Sequence, residues 1–444
     1  MNIRLDKNGI SPHDREQVSR RHRLKRWSRR ALAALAISLA TSCASAPVDD
    51  GSLEFWTMQL QPQFTEYFNE AIASFDADNP DTPIRWVDVP WSAMETKILA
   101  AVSANTAPDV VNLNPTFASL LASRDAWLPL DEYISEADRA VYLPKIWAAT
   151  QFDGKSFGIP WYLTTRITIA NTDLLKAAGI PKIPATYREL AETARAVKAK
   201  TGKYAFFISA VPDDAGELLE AMVQMGMELV DENGKAAFNT PAGRAAFSYW
   251  VDLFKADLLP REVLTQGHQR AVELYQAGEL AILASGPQFF QAIEQNAPTI
   301  AKLSEPAPQI TGDTNKIAVA VMNIVIPNST DNPEAAVKFA LFVTNPANQL
   351  AFSKQANTLP STAETLADPH FQASDDAPAL DRARAISATQ LDRAEVLVPP
   401  LPEIKQLQRI LYTQLQAAML DQVTIEAALN TAEQEWNALQ QPTP

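Results

Sequence analysis

From Leu53 onwards, short runs of β-branched and aromatic residues alternate with longer amphipathic segments. A strand predicted at Leu53–Thr57 precedes a helical pattern at Phe64–Asp76, and further strands are predicted at Ile84–Val89 and Asp109–Leu113. Strands that alternate with helices in this way build a sheet covered by helices. The chain is therefore predicted to be an α/β protein.

The length of the chain, 444 residues, exceeds what one compact core accommodates and favours two large lobes. Extended segments at Ser156–Leu163 and Arg166–Asn171 predict a first crossing between lobes, and an apolar strand at Ile317–Ile326 would return the chain to the first lobe. A third crossing is predicted near Asn357–Ser361. We expect lobe 1 to comprise residues 53–163 and 323–355, and lobe 2 to comprise residues 164–322 and 356–444.

The first 43 residues differ in composition from the rest. They contain ten Lys or Arg and three acidic residues, and an uncharged run at Ala31–Ala40 precedes Thr41-Ser42-Cys43. A basic stretch, a short apolar stretch and small residues at a cleavage point are typical of an export signal. The apolar run is half as long as a membrane-spanning helix requires. Residues 1–43 are predicted to be a signal peptide and residues 44–52 a polar tether.

Cys43 is the only cysteine of the chain, which excludes a disulfide within it. Its position is similar to that of the cysteine in a bacterial lipobox, which becomes the diacylated first residue, although Ala40 stands where Leu is usual. We therefore expect lipidation at Cys43 and a periplasmic or cell-surface protein anchored to the membrane by lipid. The alternative is an incidental thiol, and the arginine pairs of the signal leave Sec and Tat export open.

The charge of the remaining chain argues against several partners. Outside residues 1–43 the chain keeps 28 of its 38 Lys and Arg and 49 of its 52 Asp and Glu, a net charge of −21. Such a surface repels phosphate groups, so nucleic acid and anionic lipid headgroups are poor partners.

Motifs for catalysis, cofactor binding and metal binding are absent from the sequence. It contains no GxSxG, P-loop, GxGxxG, CxxC or HExxH pattern, and its four histidines are scattered. We expect no cofactor, no metal and no catalysis. A glycoside hydrolase remains an alternative, because that chemistry needs only two suitably spaced carboxylates.

Aromatic and amide side chains occur at or just after the predicted strand ends. Ligands of open α/β sheets bind beyond the carboxyl ends of strands and in clefts between lobes. Aromatic faces can cover a sugar ring, and amides can hydrogen-bond its hydroxyls. The candidate ligand-binding residues of this kind are Trp56, Gln59, Trp91, Asn112, Asn114, Phe117, Trp161 and Tyr162.

Other residues have two interpretations, since a tryptophan is more often part of a core than of a ligand site. Trp86, Trp147, Trp250 and Trp436 lie inside strand or helix patterns and are predicted to be core residues. Arg166 either contacts the ligand or pairs with an acid in the hinge.

Fragments along the chain carry a family resemblance. They are Leu53–Thr57, Pro108–Asn112, Phe157–Trp161, Asn171–Leu175, Ala178–Ile180, Gln276–Ile282, Ser285–Pro287, Ile326–Ser329 and Asn332–Ala336. In their order and spacing the chain resembles the large extracellular solute-binding proteins of the maltose-binding type, which serve sugar ABC transporters. The resemblance covers essentially the whole chain after the signal.

The resemblance implies a two-lobe periplasmic-binding-protein fold, type II-like, with three inter-lobe crossings. It also implies a monomer that closes on a small carbohydrate (a mono-, di- or oligosaccharide or a sugar-like osmolyte) and delivers it to the membrane subunits of an ABC permease. A polyamine receptor is the alternative in the ligand class, because acids and aromatic rings can enclose a cation.

Two departures from the family add candidate site residues. After Gly286-Pro287, many sugar binders have Trp, whereas this chain has Gln288, Phe289 and Phe290, so that stacking there would need Phe. A late glycine pair is replaced by Val321-Met322-Asn323, which makes Asn323 a candidate polar contact.

Overall fold

The computed structural model describes residues 51–440 except for residues 123, 153, 213, 215, 399, 400 and 402. None of the helices in this described part combines the length and hydrophobicity that a membrane crossing requires. The strands are β1 (Leu53–Met58), β2 (Ile84–Val89), β3 (Val110–Leu113), β4 (Gln151–Phe152), β5 (Lys155–Ser156), β6 (Gly158–Thr165), β7 (Ile167–Asn171), β8 (Ile282–Ser285), β9 (Ser304–Ala307), β10 (Ile317–Val325), β11 (Leu359–Pro360) and β12 (Ala394–Glu395).

The helices cover the strands and connect them. They are α1 (Thr65–Asp78), α2 (Trp91–Ser103), α3 (Pro115–Ala122), α4 (Glu136–Arg139), α5 (Pro144–Ala148), α6 (Thr172–Ala177), α7 (Tyr187–Thr201), α8 (Glu217–Gln224), α9 (Pro241–Lys255), α10 (His268–Gln276), α11 (Phe289–Asn296), α12 (Pro298–Ala301), α13 (Pro333–Val343), α14 (Pro346–Ala356), α15 (Ala363–Leu366), α16 (Ala379–Thr389), α17 (Ile404–Met419) and α18 (Ile425–Leu439).

The larger sheet has seven strands, in the order β11-β6-β10-β3-β1-β2, with β12 paired to β10. β1 runs parallel to β2 and β3, whereas β10 runs antiparallel to both β3 and β6. The parallel strands β1, β2 and β3 are each followed by a helix, as the alternating sequence pattern predicts.

Both faces of the larger sheet are buried. Successive residues of a strand point to opposite faces, and β1 accordingly places Phe55 in one core cluster and Trp56 in another. The first cluster packs against α1 and α13 through Phe68 and Phe339. The second packs against α2 and α3, where Met94 is fully buried. A sheet covered on both faces explains the apolar runs of its strands.

A second sheet, in the order β8-β7-β9, is antiparallel and has its own core. This core contains the buried tryptophans Trp250 and Trp436, which confirms two of the predicted core residues. Leu407 and Leu411 of α17 belong to the same core. In the described part of the chain, the core of the smaller sheet is therefore separate from the clusters that cover the two faces of the larger sheet.

The chain passes between the two sheets at a few points. Only Arg166 separates β6 of the larger sheet from β7 of the smaller one, and residues 308–316 lead from β9 back to β10. β11 lies within the segment where the third crossing is predicted, and it pairs with β6. After β12, the chain enters α17 and the second core.

One predicted helix start is wrong. The pattern Ser92-Ala93-Met94-Glu95 predicts a capping box, but α2 begins at Trp91 with Pro90 as its N-cap and has no side-chain cap hydrogen bond. The amides of Ala93 and Met94 donate to the Pro90 carbonyl oxygen at 3.0 and 3.1 Å. Because the helix starts earlier than predicted, Glu95 lies inside it, and its carboxylate forms an ion pair with Lys405.

The half-buried His370 should make stability depend on pH. Its Nε2 atom is buried without a hydrogen-bond partner, and burial, together with Arg384 and Lys354, lowers the pKa of the imidazole. The unfolded chain takes up a proton near the ordinary pKa of about 6.5, whereas the folded protein resists it. The contribution of the neutral His370 to the free energy of unfolding is therefore complete above that pH, and it is lost as the pH falls towards the lower pKa of the folded protein.

We expect the free energy of unfolding, measured with urea, to fall less between about pH 8 and pH 5 in His370→Gln than in the unmodified protein. The substitution removes the group whose protonation the folded state resists. Equal losses in the two proteins would contradict this assignment.

Candidate functional site

The largest cavity described, of about 830 Å³, lies where the two sheets and their helices meet. Its volume is within the range of small-molecule sites, about 300–1,000 Å³. One wall comes from the larger sheet and its helices and includes Trp91, Asn114 and Tyr162. The other wall comes from the segments around α8 and α17, and β10 supplies the floor. These further lining residues include Pro212, Asp214, Gly216, Leu219, Glu220, Ala320, Met322, Lys405 and Gln408.

Three of the predicted binding residues line this cavity. Trp91, the first residue of α2, exposes 42% of its surface, which is unusual for a tryptophan. Asn114 follows β3, and its Oδ1 accepts a hydrogen bond from the Phe117 amide at 2.8 Å. Tyr162 lies on the same face of β6 as Thr164, because strand residues two apart share a face. An exposed ring, a phenol and an amide therefore border one cavity.

Five other predicted residues are buried and do not line the cavity: Trp56, Asn112, Phe117, Trp161 and Asn323. The Trp56 ring lies under the Lys97 ammonium at 3.9 Å, and its Nε1 donates to Glu54 at 2.6 Å. Trp161 is fully buried, and its ring packs edge-on against that of Tyr162, with the centroids 4.9 Å apart.

The two asparagines of this group are linked inside the larger sheet. Nδ2 of Asn112 donates to the Asn323 carbonyl at 3.3 Å, and Nδ2 of Asn323 donates to the Val321 carbonyl at 2.9 Å. Gln59 is exposed beside the cavity wall, and its side-chain oxygen lies 3.4 Å from the amide of Trp91. The ligand roles of these residues and of the buried group stay predictions.

A second cavity, of about 220 Å³, adjoins the first, and both are lined by Thr164, Glu220 and Ala320. It is lined by the other predicted residues, Arg166, Gln288 and Phe289. His268, from α10, also lines it, and the His268 Nε2 lies 3.2 Å from the Ser285 hydroxyl. The cavities together provide a continuous polar and aromatic lining.

Arg166 forms an ion pair with Glu220, as one of its two interpretations predicts. It also lines the second cavity, and its contact with a ligand stays a prediction. Burial raises the pKa of the Glu220 carboxyl, and Arg166 opposes that shift. Burial lowers the pKa of Arg166, but Glu220 and Glu217 together raise it above its usual range. The guanidinium therefore stays charged between two carboxylates at the junction of the two sheets.

Several lining residues were not predicted, because they come from segments far apart in sequence. Asp214 and Glu220 lie near the start of α8 and within it, and Lys405 and Gln408 lie on α17. Gln408 holds the segment before α8 in position, since its Nε2 donates to the carbonyls of Pro212 at 3.1 Å and Asp214 at 2.8 Å. No local sequence signal marks these residues as neighbours.

In the part of the chain that the structure describes, no three His, Cys, Asp or Glu side chains form a group that could hold a metal ion. The predicted lipidation site, Cys43, lies outside the described residues, as do the rest of the predicted signal and most of the tether. The described residues therefore form an inter-lobe cavity that is suited to hydrogen bonding and ring stacking.

Comparisons with known proteins agree with this geometry. The sequence profile of the family described as bacterial extracellular solute-binding protein matches residues 61–350. An arabinooligosaccharide-binding protein of Halalkalibacterium halodurans is 26% identical over 313 residues, which cover 67% of this chain and 68% of that protein.

Solved structures have the same fold. Two crystal structures of a provisionally assigned oligosaccharide periplasmic-binding protein from Synechococcus sp. MITs9220, one in complex with zinc, are 45% and 44% identical to this chain. Their TM-scores are 0.80 and 0.82, and each match covers 87% of this chain and 98% of that chain.

The cyclic α-maltosyl-1,6-maltose binding protein from Arthrobacter globiformis, at 19% identity, has a TM-score of 0.74 over 88% of this chain and 98% of that one. These likenesses confirm the predicted two-lobe periplasmic-binding-protein fold. Since the family profile also matches more than half of the sequence, the chain belongs to the family of bacterial extracellular solute-binding proteins.

Proposed function

We propose that this protein is the substrate-binding component of an ABC importer, which captures a neutral oligosaccharide between its lobes and releases it unaltered to the membrane permease. The observation that carries the proposal is the inter-lobe cavity of about 830 Å³, bordered by Trp91, Tyr162 and Asn114. Rings cover the apolar faces of sugars and amides bind their hydroxyls. The relative that binds arabinooligosaccharides supports this ligand class.

The remaining features of the proposal concern the lobes and the membrane. We propose that the lobes have the predicted bounds, so that lobe 2 contributes β11, β12, residues 164–165 of β6 and residues 317–322 of β10 to the larger sheet. The protein acts as a monomer, and a lipid on Cys43 holds it at the periplasmic or outer surface of a membrane. Mass spectrometry of the mature protein, which should begin with a diacylated cysteine, tests the anchor.

A thermal-shift screen tests the ligand class. We expect arabinooligosaccharides, maltooligosaccharides or other neutral oligosaccharides to raise the melting temperature, because a ligand that binds only the folded state stabilises it by mass action. Spermidine serves as the polyamine probe, for which Asp214 and Glu220 are the acids that line the cavity. A shift with spermidine and with no carbohydrate would overturn the proposal in favour of a polyamine receptor.

The purified protein should also be incubated with chromogenic glycosides. A binding protein produces no turnover, since it releases its ligand unchanged. Hydrolysis that disappears when one cavity acid, such as Asp214, is replaced by asparagine would identify a glycoside hydrolase.

Replacing Trp91 by alanine should weaken binding of the best carbohydrate from this screen by at least about tenfold, as is typical for a central aromatic contact. Because Trp91 is 42% exposed, the free energy of unfolding should change by less than about 0.5 kcal/mol. Isothermal titration calorimetry measures the affinity, and Trp91→Phe should retain most of it. An unchanged affinity in Trp91→Ala would exclude a stacking role for this ring.

A further inference from the structure

One ion pair joins helices that belong to different cores. Lys405 lies in the first turn of α17, and its ammonium contacts the Glu95 carboxylate of α2. The same ammonium lies 5.1 Å from the centre of the Phe117 ring in α3. Lys405 also lines the large cavity, opposite Trp91 and Asn114. The Lys405–Glu95 bridge therefore spans the side of the cavity where these helices approach each other.

The two ends of the bridge are fixed to their cores. On α17, Ile404 and Leu407, which flank Lys405, are buried in the core of the smaller sheet. On α2, Met94 and Ile98, which flank Glu95, are buried in a core of the larger sheet. If the lobes separate at the cavity, each helix moves with its own core, and the bridge must break.

We propose that Lys405 and Glu95 form an electrostatic latch that favours the closed arrangement of the two lobes. The purpose of the latch, which is to retain a captured ligand, rests on the proposed receptor function. The latch itself can form without a ligand. Lys405 and Glu95 are positioning residues, because they act on the distance between the walls. The Phe117 ring adds a second attraction for the same ammonium.

The size of the effect follows from exposure. The Lys405 and Glu95 side chains are 57% and 34% exposed, and exposed ion pairs contribute little. We therefore expect loss of the bridge to lower the ratio of closed to open protein by roughly twofold to fivefold. An exposed pair is also screened by salt, so a similar decrease should follow when the Debye length is shortened from about 30 Å to about 3 Å.

The test measures the distance between the two helices without ligand. Cys43→Ser removes the only natural cysteine, and Ala104→Cys and Thr413→Cys place spin labels at exposed positions at the end of α2 and within α17. Double electron–electron resonance then reports the populations of short and long distances. The measurement is made on the full chain at ionic strengths of about 0.01 M and 1 M.

The variants distinguish loss of the charge pair from a general disturbance of the fold. Glu95→Gln and Lys405→Gln should each increase the long-distance population at low salt and remove the effect of salt, whereas Lys405→Arg should behave like the parent. The exchange Glu95→Lys with Lys405→Glu should restore the short distance. As a matched control, Lys182→Gln breaks an ion pair with Glu189 inside one lobe. It should leave the populations of short and long distances unchanged.

A distance distribution that is the same in Glu95→Gln as in the parent, or one that the charge exchange does not restore, would overturn the latch. Because no ligand is present, these outcomes are independent of the carbohydrate screen. A protein that binds no sugar but has the latch would refute only the proposed function. A protein that binds sugar with salt-independent distances would refute only the latch.

Discussion

Truncation of Trp161 to alanine should lower the free energy of unfolding by about 3–5 kcal/mol, the usual cost of removing a large buried aromatic side chain. Trp161 is fully buried. Its ring stacks on Phe352 at 4.8 Å with an interplanar angle of 26°, and it meets Phe68 edge-on at 5.9 Å. The surrounding rings cannot all move into the space that the indole leaves, so a cavity remains. Urea unfolding followed by circular dichroism measures the loss.

Trp161→Phe separates packing from ligand binding at this position. It keeps an aromatic ring against Phe352 and removes an indole Nε1 that is buried without a partner. The cost in stability should therefore be much smaller than that of the alanine variant. Because Trp161 does not line the cavity, affinity for the best carbohydrate should stay within about twofold, a change of about 0.4 kcal/mol in the binding free energy. A large loss of affinity with normal stability would instead support the predicted ligand role of Trp161.

The fold was largely predictable because its signals are local. The strand at Ile84–Val89 has the predicted bounds. Amphipathic patterns in the sequence also predict helices at Pro241–Lys255 and Pro333–Val343, and the structure has helices with these bounds. Thr186, followed three residues later by Glu189, predicts a helix cap, and the Thr186 hydroxyl accepts a hydrogen bond from the Glu189 amide at 3.2 Å. Periodicity and capping depend on residues a few positions apart. The capping box predicted at Ser92 failed because Pro90 had already started the helix.

The candidate site was predicted less completely, for two physical reasons. First, a strand end identifies a region but not the side chain that reaches the cavity. Trp161 and Tyr162 are adjacent in β6, and both rings pack against Phe352, but only Tyr162 also lines the cavity. Second, the opposite wall is assembled from distant segments. Lys405 and Gln408 reach it only because α17 packs into the second core.

For Arg166, the sequence left two interpretations open, a ligand contact and an ion pair. Arg166 is the single residue between β6 and β7. A charged residue between two extended segments indicates a hinge, but it does not identify the acid with which it pairs. The partner, Glu220, is 54 residues away on α8. The ion pair therefore became visible only with the packing of α8 against the junction.

Replacing Arg166 by methionine should destabilise the protein by about 3–5 kcal/mol, because it leaves a buried acid without its cation. The side chains of Arg166 and Glu220 are only 25% and 23% exposed, and Glu217, at 11%, is a second acid beside them. Without the guanidinium, the pKa of Glu220, already raised by burial, should rise further. The penalty applies above that folded pKa and disappears as the pH falls to the unfolded value, so Arg166→Met should be less harmful in acid than at neutral pH.

The double variant Arg166→Met with Glu220→Leu distinguishes a lost ion pair from lost packing. If the damage in Arg166→Met comes from the unpaired carboxylate, removing that carboxylate should recover most of the stability, because replacing a whole buried pair by apolar residues is often neutral. A double-mutant cycle measured by urea unfolding should then give a coupling of at least about 2 kcal/mol. If the two single effects add without coupling, the junction is held by packing alone, and the pair that Arg166 forms contributes nothing to the fold.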